Sequence, residues 1–435
     1  MQQKFELHLQ QNHPYLLTEK FLIAISGGID SVVLAHLCYQ ADLNFALAHC
    51  NFQLRGKESD EDENFIQKLG KELQTEVFVQ KFDTARFVKK DASIQLIARE
   101  QRYQWFDELL KKTDYSYILT AHHLDDDIET FFINLLRGSG LKGLTGIPPE
   151  NKKIIRPLLK FSKQELIKFA QENLIKWRED QTNFSDDYLR NRIRNHIIPV
   201  LEEENPNFKN SFSQTQSFLK DAFLLNEDYR KLLKAEISHQ ENNFIFFDVE
   251  KIQSLPNKEA VIYLLFNAYG FTAWRDIENL LNAASGKMVL SKTHRLLKDK
   301  NFLVLDKINS SEKAEITIQK EEKLINFPAG KLICENVINV SEFDNQIAYL
   351  AAEKLEYPLK LRIWKPGDRF QPLGMKGHKN LSDFLKDEKL NLFEKENVWV
   401  LLSNETIVWV VGHRIHDAFK IKDGINKILK IKWLK

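Results

Sequence analysis

The stretch FLIAISGGIDS, from Phe21 to Ser31, decides the fold. Its start, Phe-Leu-Ile-Ala-Ile, is an apolar run of strand length. It stops at Ser-Gly-Gly-Ile-Asp-Ser, and the helix-like run SVVLAHLCYQ follows. A strand that ends in a glycine-rich turn and feeds a helix is an anion site. Backbone N–H groups point outward at the helix start, and the helix dipole favours negative charge. Gly27 and Gly28 let the backbone take positive φ and approach a ligand closely, while Ser26 and Ser31 add hydroxyl donors around Ile29. Asp30 would repel a bound phosphate unless a metal stands between them, and Mg²⁺ reconciles the two. The loop is neither G-x-x-x-x-G-K-[ST] nor G-x-G-x-x-G. Helix capping by Ser and Asp would explain a lone S-G-G. The whole S-G-G-x-D-S string behind a buried strand points to phosphate instead.

Outward from this loop the chain alternates. FLIAIS, LNFALAHCNF, TEVFVQKF and YSYILTAHH read as strands; EDENFIQKLGKELQ, IQLIAREQRYQWFDELLKK and DIETFFINLLRG read as helices. Short apolar strands alternating with amphipathic helices mean βαβ units and an α/β domain with a mostly parallel sheet. The pattern fades after about residue 145, and the acidic, proline-broken VLEEENPNF marks a boundary near Pro206. The first domain is therefore expected over residues 1–205. Long helical segments with the short strands FIFFDV and NFLVLD predict a mainly helical domain over 206–310. After the linker candidate NSSEKAE, strands LKLRIW, VWVLLS and ETIVWVVG around helix LSDFLKDEK predict a small α+β domain over 330–435.

Composition narrows the classes. A chain of 435 residues exceeds one ordinary core, and 43% hydrophobic residues suit globular packing. No apolar run is long enough to span a bilayer and the N-terminus has no signal architecture, so a soluble protein without a membrane partner is expected. Cys38, Cys50 and Cys334 form no C-x-x-C pair, which suits a reducing cytoplasm and argues against structural zinc. Net charge is +1, so any nucleic-acid partner must be met by local patches.

Two further strand ends carry chemistry. The second strand ends in AHCNFQLRGKESDEDENF, which places His49, Asn51 and Arg55 at the carboxyl edge of the sheet, where open parallel sheets bind ligands. The fourth ends in TAHHLDDDIETFFINLLRGSG, and His122, His123, Asp125, Asp126, Asp127 and Glu129 crowd the same edge. Carboxylates at this density repel and should hold a cation, either a metal or an ammonium group. One acid could cap the helix, but a cap does not explain two histidines and four acids. Later, WREDQTNFSDDYLRNRIRNHIIP carries a cationic patch; Arg190 and Arg194 share a helix face and Arg192 points elsewhere. Such a run is commonly a solvated face with ion pairs; next to a nucleotide site it could meet RNA phosphates.

SGGIDS resembles the PP-loop of the ATP pyrophosphatase superfamily (adenine nucleotide alpha hydrolase-like). Together with HCNFQLR, ARE-x-RY-x-W, TAHHLDDDIET, RPLL, WRED-x-TN, KPGDRFQPLGMKGHKNLSDFLKDEK and VGHRI, the chain is similar over nearly its whole length to the tRNA(Ile)-lysidine synthetase family. That family usually has Gln where this chain has Asp127. The resemblance implies that ATP adenylates O2 of the wobble cytidine in the CAU anticodon of tRNA(Ile). Free L-lysine then attacks C2 through its ε-amine, and AMP and pyrophosphate are released. The product, lysidine, pairs with A instead of G and converts codon specificity to AUA.

On this reading Ser26–Ser31, His49, Asn51, Arg55 and Arg99 bind nucleotide, and Arg102 is a further candidate for ATP or cytosine. Asp30 positions Mg²⁺, and Asp125, Asp126 and Glu129 hold the lysine ammonium and take up its proton. Arg190, Arg192 and Arg194, with Lys376, His378 and Lys379 of GMKGHKN, meet RNA; a glycine-rich hairpin turn would equally explain the last loop. A homodimer is left open. The rivals are a PP-loop tRNA thiolase, which the missing cysteine pair opposes, an amidotransferase-type synthetase, which the long C-terminal region opposes, and a pure RNA-binding module, which the acidic cluster opposes.

Overall fold

The structure, a computed structural model, describes residues 1–53, 56–82, 94–178, 189–241, 243–308, 315–340, 342, 344–422 and 427–434, with 94–96 as backbone only. The chain forms two compact units, Met1–Asp228 and Tyr229–Lys435. Among the described residues no helix is long and apolar enough to cross a membrane.

In the first unit, after helix α1 (Gln2–Asn12), come β1 (Phe21–Ala24), α2 (Ile29–Gln40), β2 (Phe45–Asn51), α3 (Lys57–Glu72), β3 (Val77–Lys81), α4 (Ile94–Lys112), β4 (Tyr117–Leu119) and α5 (Leu124–Leu136). A short α6 (Leu141–Leu144), the strands β5 (Glu150–Asn151) and β6 (Ile154–Ile155), and α7 (Lys163–Glu172) follow. Then come α8 (Leu189–Arg192), a π-helical turn (Ile193–Ile197), α9 (Ile198–Glu204) and α10 (Phe208–Ile237), whose last residues, from Tyr229, belong to the second unit. The sheet order is β3-β2-β1-β4-β6-β5, parallel except for β5.

Alternation along β1 explains why the sheet is covered on both faces. Phe21 and Ile23 join the core made with α1, α2, α3 and α7 (Phe5, Val33, Ile66, Leu166), while Leu22 joins Phe106, Leu109 and Leu110 of α4. A strand buried on both faces reads as continuous hydrophobic sequence, which FLIA does. The four expected strands and α4 are present. The β5–β6 pair, too short to carry a period, adds an edge beyond β4 that the sequence did not reveal.

The second unit is antiparallel. Strands β7 (Ser238–Glu241), β8 (Phe244–Asp248), β9 (Met288–Leu290), β10 (His294–Asp299) and β11 (Phe302–Lys307) form a sheet in the order β7-β8-β11-β10-β9. Its helices α11 (Val249–Ser254), α12 (Lys258–Phe266) and α13 (Trp274–Leu281) pack on Phe247, Leu296 and Leu305. The expected helices are thus accompanied by five strands, two of which the sequence had singled out.

Beyond them lie β12 (Ile316–Ile318), β13 (Leu324–Phe327), β14 (Gly330–Val337), β15 (Ile347–Ala351), β16 (Leu359–Ile363), β17 (Arg369–Phe370) and β18 (Lys379–Asn380). The chain continues through α14 (Leu381–Asp387), α15 (Leu392–Glu396), β19 (Trp399–Ser403), β20 (Thr406–Val410) and β21 (Ile428–Leu434). Sheets β12-β16-β19-β20 and β13-β14-β21-β15 share a core around Leu332, Leu361, Trp399, Trp409 and Ile431.

Candidate active site

The carboxyl ends of β1, β2 and β4 bring SGGIDS, His49 and the acidic run to one edge of the sheet. Gly27 takes φ +91°, and Gly28, at the helix boundary, is extended with φ −73°. The two serine hydroxyls close the turn: Ser26 Oγ lies 3.2 Å from Ser31 Oγ, which also donates to the Gly28 carbonyl at 3.0 Å. His49 is 5% exposed, and its Nδ1–H donates to the Ile25 carbonyl at 3.0 Å, tying β2 to the base of the loop. Burial lowers the His49 ring's pKa. Asn51 is also buried and donates to Glu63 at 2.8 Å. Arg55 lies outside the described residues. Arg99 sits over the Tyr103 ring at 5.0 Å and Arg102 over Phe52 at 5.6 Å.

The acidic run begins α5, three residues earlier than the helix-like pattern suggested, so the aspartates fill the first turn. The expectation that they must hold a cation is met by the chain's own groups. Asp30 Oδ1 accepts from Lys163 Nζ at 2.6 Å. Asp125 accepts from the Lys163 backbone N–H at 2.7 Å and pairs with Lys209 at 2.7 Å. Glu129 is 0% exposed, and Arg190 and Arg194 each give it an Nε–H, at 2.7 and 2.6 Å. Arg190 and Arg194 do share one face, as the spacing predicted, and that face is turned to Glu129; Arg192 is exposed.

His123 stands at the centre of this network. Its Nε2 is 3.6 Å from Asp30 and 3.5 Å from Asp126, and its Nδ1 is 3.6 Å from Asp125. Burial pulls the ring's pKa down, but the three carboxylates outweigh it and raise the ring to about 10, so it is an imidazolium at neutral pH. Burial would raise Asp30, but His123 and Lys163 hold it below its ordinary range. Asp126 is the least committed acid. It caps α5 by accepting the His123 N–H at 3.0 Å, and its other charged neighbours stand at 3.5 to 4.0 Å.

Asp127, one helical step on, faces elsewhere and accepts the Ile147 N–H at 2.5 Å. Lys376 and His378 belong to an exposed loop between β17 and β18 in the second unit, and Lys379 pairs with Asp387.

Lys163 and Lys209 were not found in the sequence. Ser162–Glu165 is a readable capping box that starts α7, but nothing in it reveals that the N1 lysine reaches back to Asp30. Among the described residues no group of three or more His, Cys, Asp or Glu is arranged to hold a metal ion. A metal at Asp30 would therefore take one carboxylate plus phosphate oxygens and water, a donor set that suits Mg²⁺. Phosphate donors at the loop beside an ion-paired acidic pocket can bind a nucleotide and an ammonium side by side.

Residues 1–201 match the PP-loop domain model, 240–308 the TilS substrate binding domain and 359–433 the TilS substrate C-terminal domain. The tRNA(Ile)-lysidine synthase of Parabacteroides distasonis is 36% identical over 95% of both chains. Those of Bacteroides thetaiotaomicron, over 99% of both chains, and Caldanaerobacter subterraneus, over 96% of this chain and 94% of its own, are 34% and 31% identical. With all three domains matched in order and likeness running the length of the chain, the protein belongs to the tRNA(Ile)-lysidine synthase family.

Proposed function

We propose that this chain ligates L-lysine to C2 of the wobble cytidine in CAU-anticodon tRNA(Ile), using ATP, in the cytoplasm. Cytosine O2 attacks the α-phosphorus of ATP and pyrophosphate leaves; the lysine ε-amine then attacks C2 and AMP leaves with O2. The Ser26–Ser31 turn offers backbone N–H groups and a helix N-terminus to the phosphates, stabilising charge as pyrophosphate departs. Mg²⁺, held by Asp30, would supply further neutralisation of the phosphate charge. A wobble base in a single-stranded loop costs little to splay out into the pocket.

Asp126 is our choice for the lysine ammonium. Asp125 and Glu129 are saturated by the chain's own cations, whereas Asp126 has no charged partner among the described residues closer than 3.5 Å. That difference carries the assignment. Asp125 and Glu129 then act by fixing Lys163, Lys209 and the two arginines around it. Arg192 and the 376–379 loop are proposed to meet RNA backbone.

Labelled lysine, ATP, Mg²⁺ and a CAU-anticodon transcript should give lysine-bearing tRNA; folded protein that incorporates none would sink the reading. Asp126→Asn should raise the lysine KM about tenfold or more, the worth of one charge-assisted hydrogen bond, and spare the KM for ATP. An unchanged lysine KM would return the role to another acid.

A further inference from the structure

Among the described residues Arg156 meets no carboxylate. It follows β6, whose pairing with β4 sets Leu119 beside Ile155, so Arg156 leaves the sheet next to Thr120 and His122. It is 5% exposed. Its Nη1 donates to the Pro148 carbonyl at 2.8 Å, a neutral partner. Its Nε–H is buried with no partner. Among the described residues no acid lies within ion-pair distance of it, while Arg178, Arg190, Arg194, Arg295 and Arg362 all have one.

A guanidinium carries five donors and cannot shed its charge, so burying it without an anion is unfavourable. Arg99, over the Tyr103 ring, adds a second cation. The neighbouring imidazole feels these cations: burial lowers His122 to about 4, Asp126 opposes the shift, and Arg156, Arg190 and Arg99 add to it. The sheet edge is therefore divided. Acids gather at the start of α5, and on the β6 side stands Arg156, with no acid among the described residues within ion-pair distance.

We infer that Arg156, with Arg99 beside Tyr103, is a binding residue for a phosphate group entering at the β6 end of the sheet. Two ligands of the proposed reaction carry that chemistry: a phosphodiester of the RNA strand next to the reacting cytidine, and a phosphate of ATP. The inference rests on the lysidine-forming reading for its ligands but not for its geometry. A guanidinium kept only to brace the 148–156 hairpin would be replaceable by an uncharged side chain without loss of binding.

The test uses the full chain carrying Arg156→Gln. Affinity is measured for α,β-methylene-ATP by calorimetry and for a CAU anticodon stem-loop by anisotropy across a salt series. The unliganded variant should melt no lower than wild type, because an uncompensated charge has been removed. One of the two affinities should fall about 10- to 100-fold, the range of a charge-assisted bidentate contact. If the RNA is the source, the slope of log K against log salt also drops by about one; if ATP is the source, that slope is unchanged. Should Arg156→Gln fail to fold, Arg156→Lys, which keeps the charge and loses the bidentate fork, reads the same contact, with a loss of about threefold or more expected. Wild-type affinity for both probes in the folded variants overturns the inference. Wild-type lysidine formation in the same preparations keeps that failure distinct from failure of the proposed function.

Discussion

Gly146 stands at φ +74°, and a β-carbon there would lie 2.1 Å from Asp127 Oδ1. The two residues are one device. Asp127 is 4% exposed, its carboxylate holds the Ile147 N–H, and Lys220 lies 3.9 Å away. Burial raises the Asp127 pKa, which is tolerable because the carboxylate faces a backbone donor and a cation. Asp127 therefore fastens the loop after α6 and stands apart from the proposed lysine pocket, and an amide oxygen could accept the same N–H. Gly146→Ala should cost about 1–3 kcal/mol through left-handed strain and displacement of Asp127. Calorimetry reads this as a lower Tm; a wild-type Tm would mean that the loop adapts freely.

At the scale of elements, α8 and the π-helical turn Ile193–Ile197 together carry the clamp on α5. Glu129 meets Arg190 and Arg194 from 61 and 65 residues away in sequence. The shared face of the two arginines was legible from their spacing, but their partner was not, because a contact that distant leaves no local period. Buried ion pairs are costly to break from one side. Glu129→Ala, which strands two guanidiniums, should lower stability by about 3 kcal/mol or more, visible as a shifted urea midpoint.

Helix α1 offers a pH test. Burial, then Lys160 and His13, lowers His8 to about 4 from 6.5. Between those values the unfolded chain binds the proton and the folded chain does not, so stability is complete above 6.5 and lost as the pH falls toward 4. His8→Gln should flatten the Tm profile over that window, and superimposable wild-type and variant profiles would acquit His8.

For the molecule as a whole, legibility followed the range of the contacts. The first unit could be read because each parallel strand is buried on both faces and is followed by a helix of clear period. In the second unit β14 pairs with β21, Lys331 against Leu434, and short half-exposed strands such as β13 carry too little pattern to betray such partners. The site divided in the same way. The clustering of strand-end residues at one sheet edge could be read ahead, whereas Lys163, Lys209 and Arg156 take their meaning only from groups brought in by the fold.

One feature of the second unit joins its two family-matched segments. Phe393 of α15 is 0% exposed against Phe244, Phe246, Leu297 and Val304, and Arg295 lies 4.1 Å from its ring while pairing with Glu396 at 2.5 Å. An aromatic plug of this size should cost about 3–5 kcal/mol to remove. Because it is shared between residues 240–308 and 359–433, Phe393→Ala should speed amide hydrogen exchange in β8, β10 and β11 as well as around α15. Faster exchange confined to α15 would mean that the two segments hold together without it. Faster exchange in both should also weaken tRNA affinity while sparing the KM for ATP, since the plug would then keep the RNA-reading surfaces of the second unit in one register.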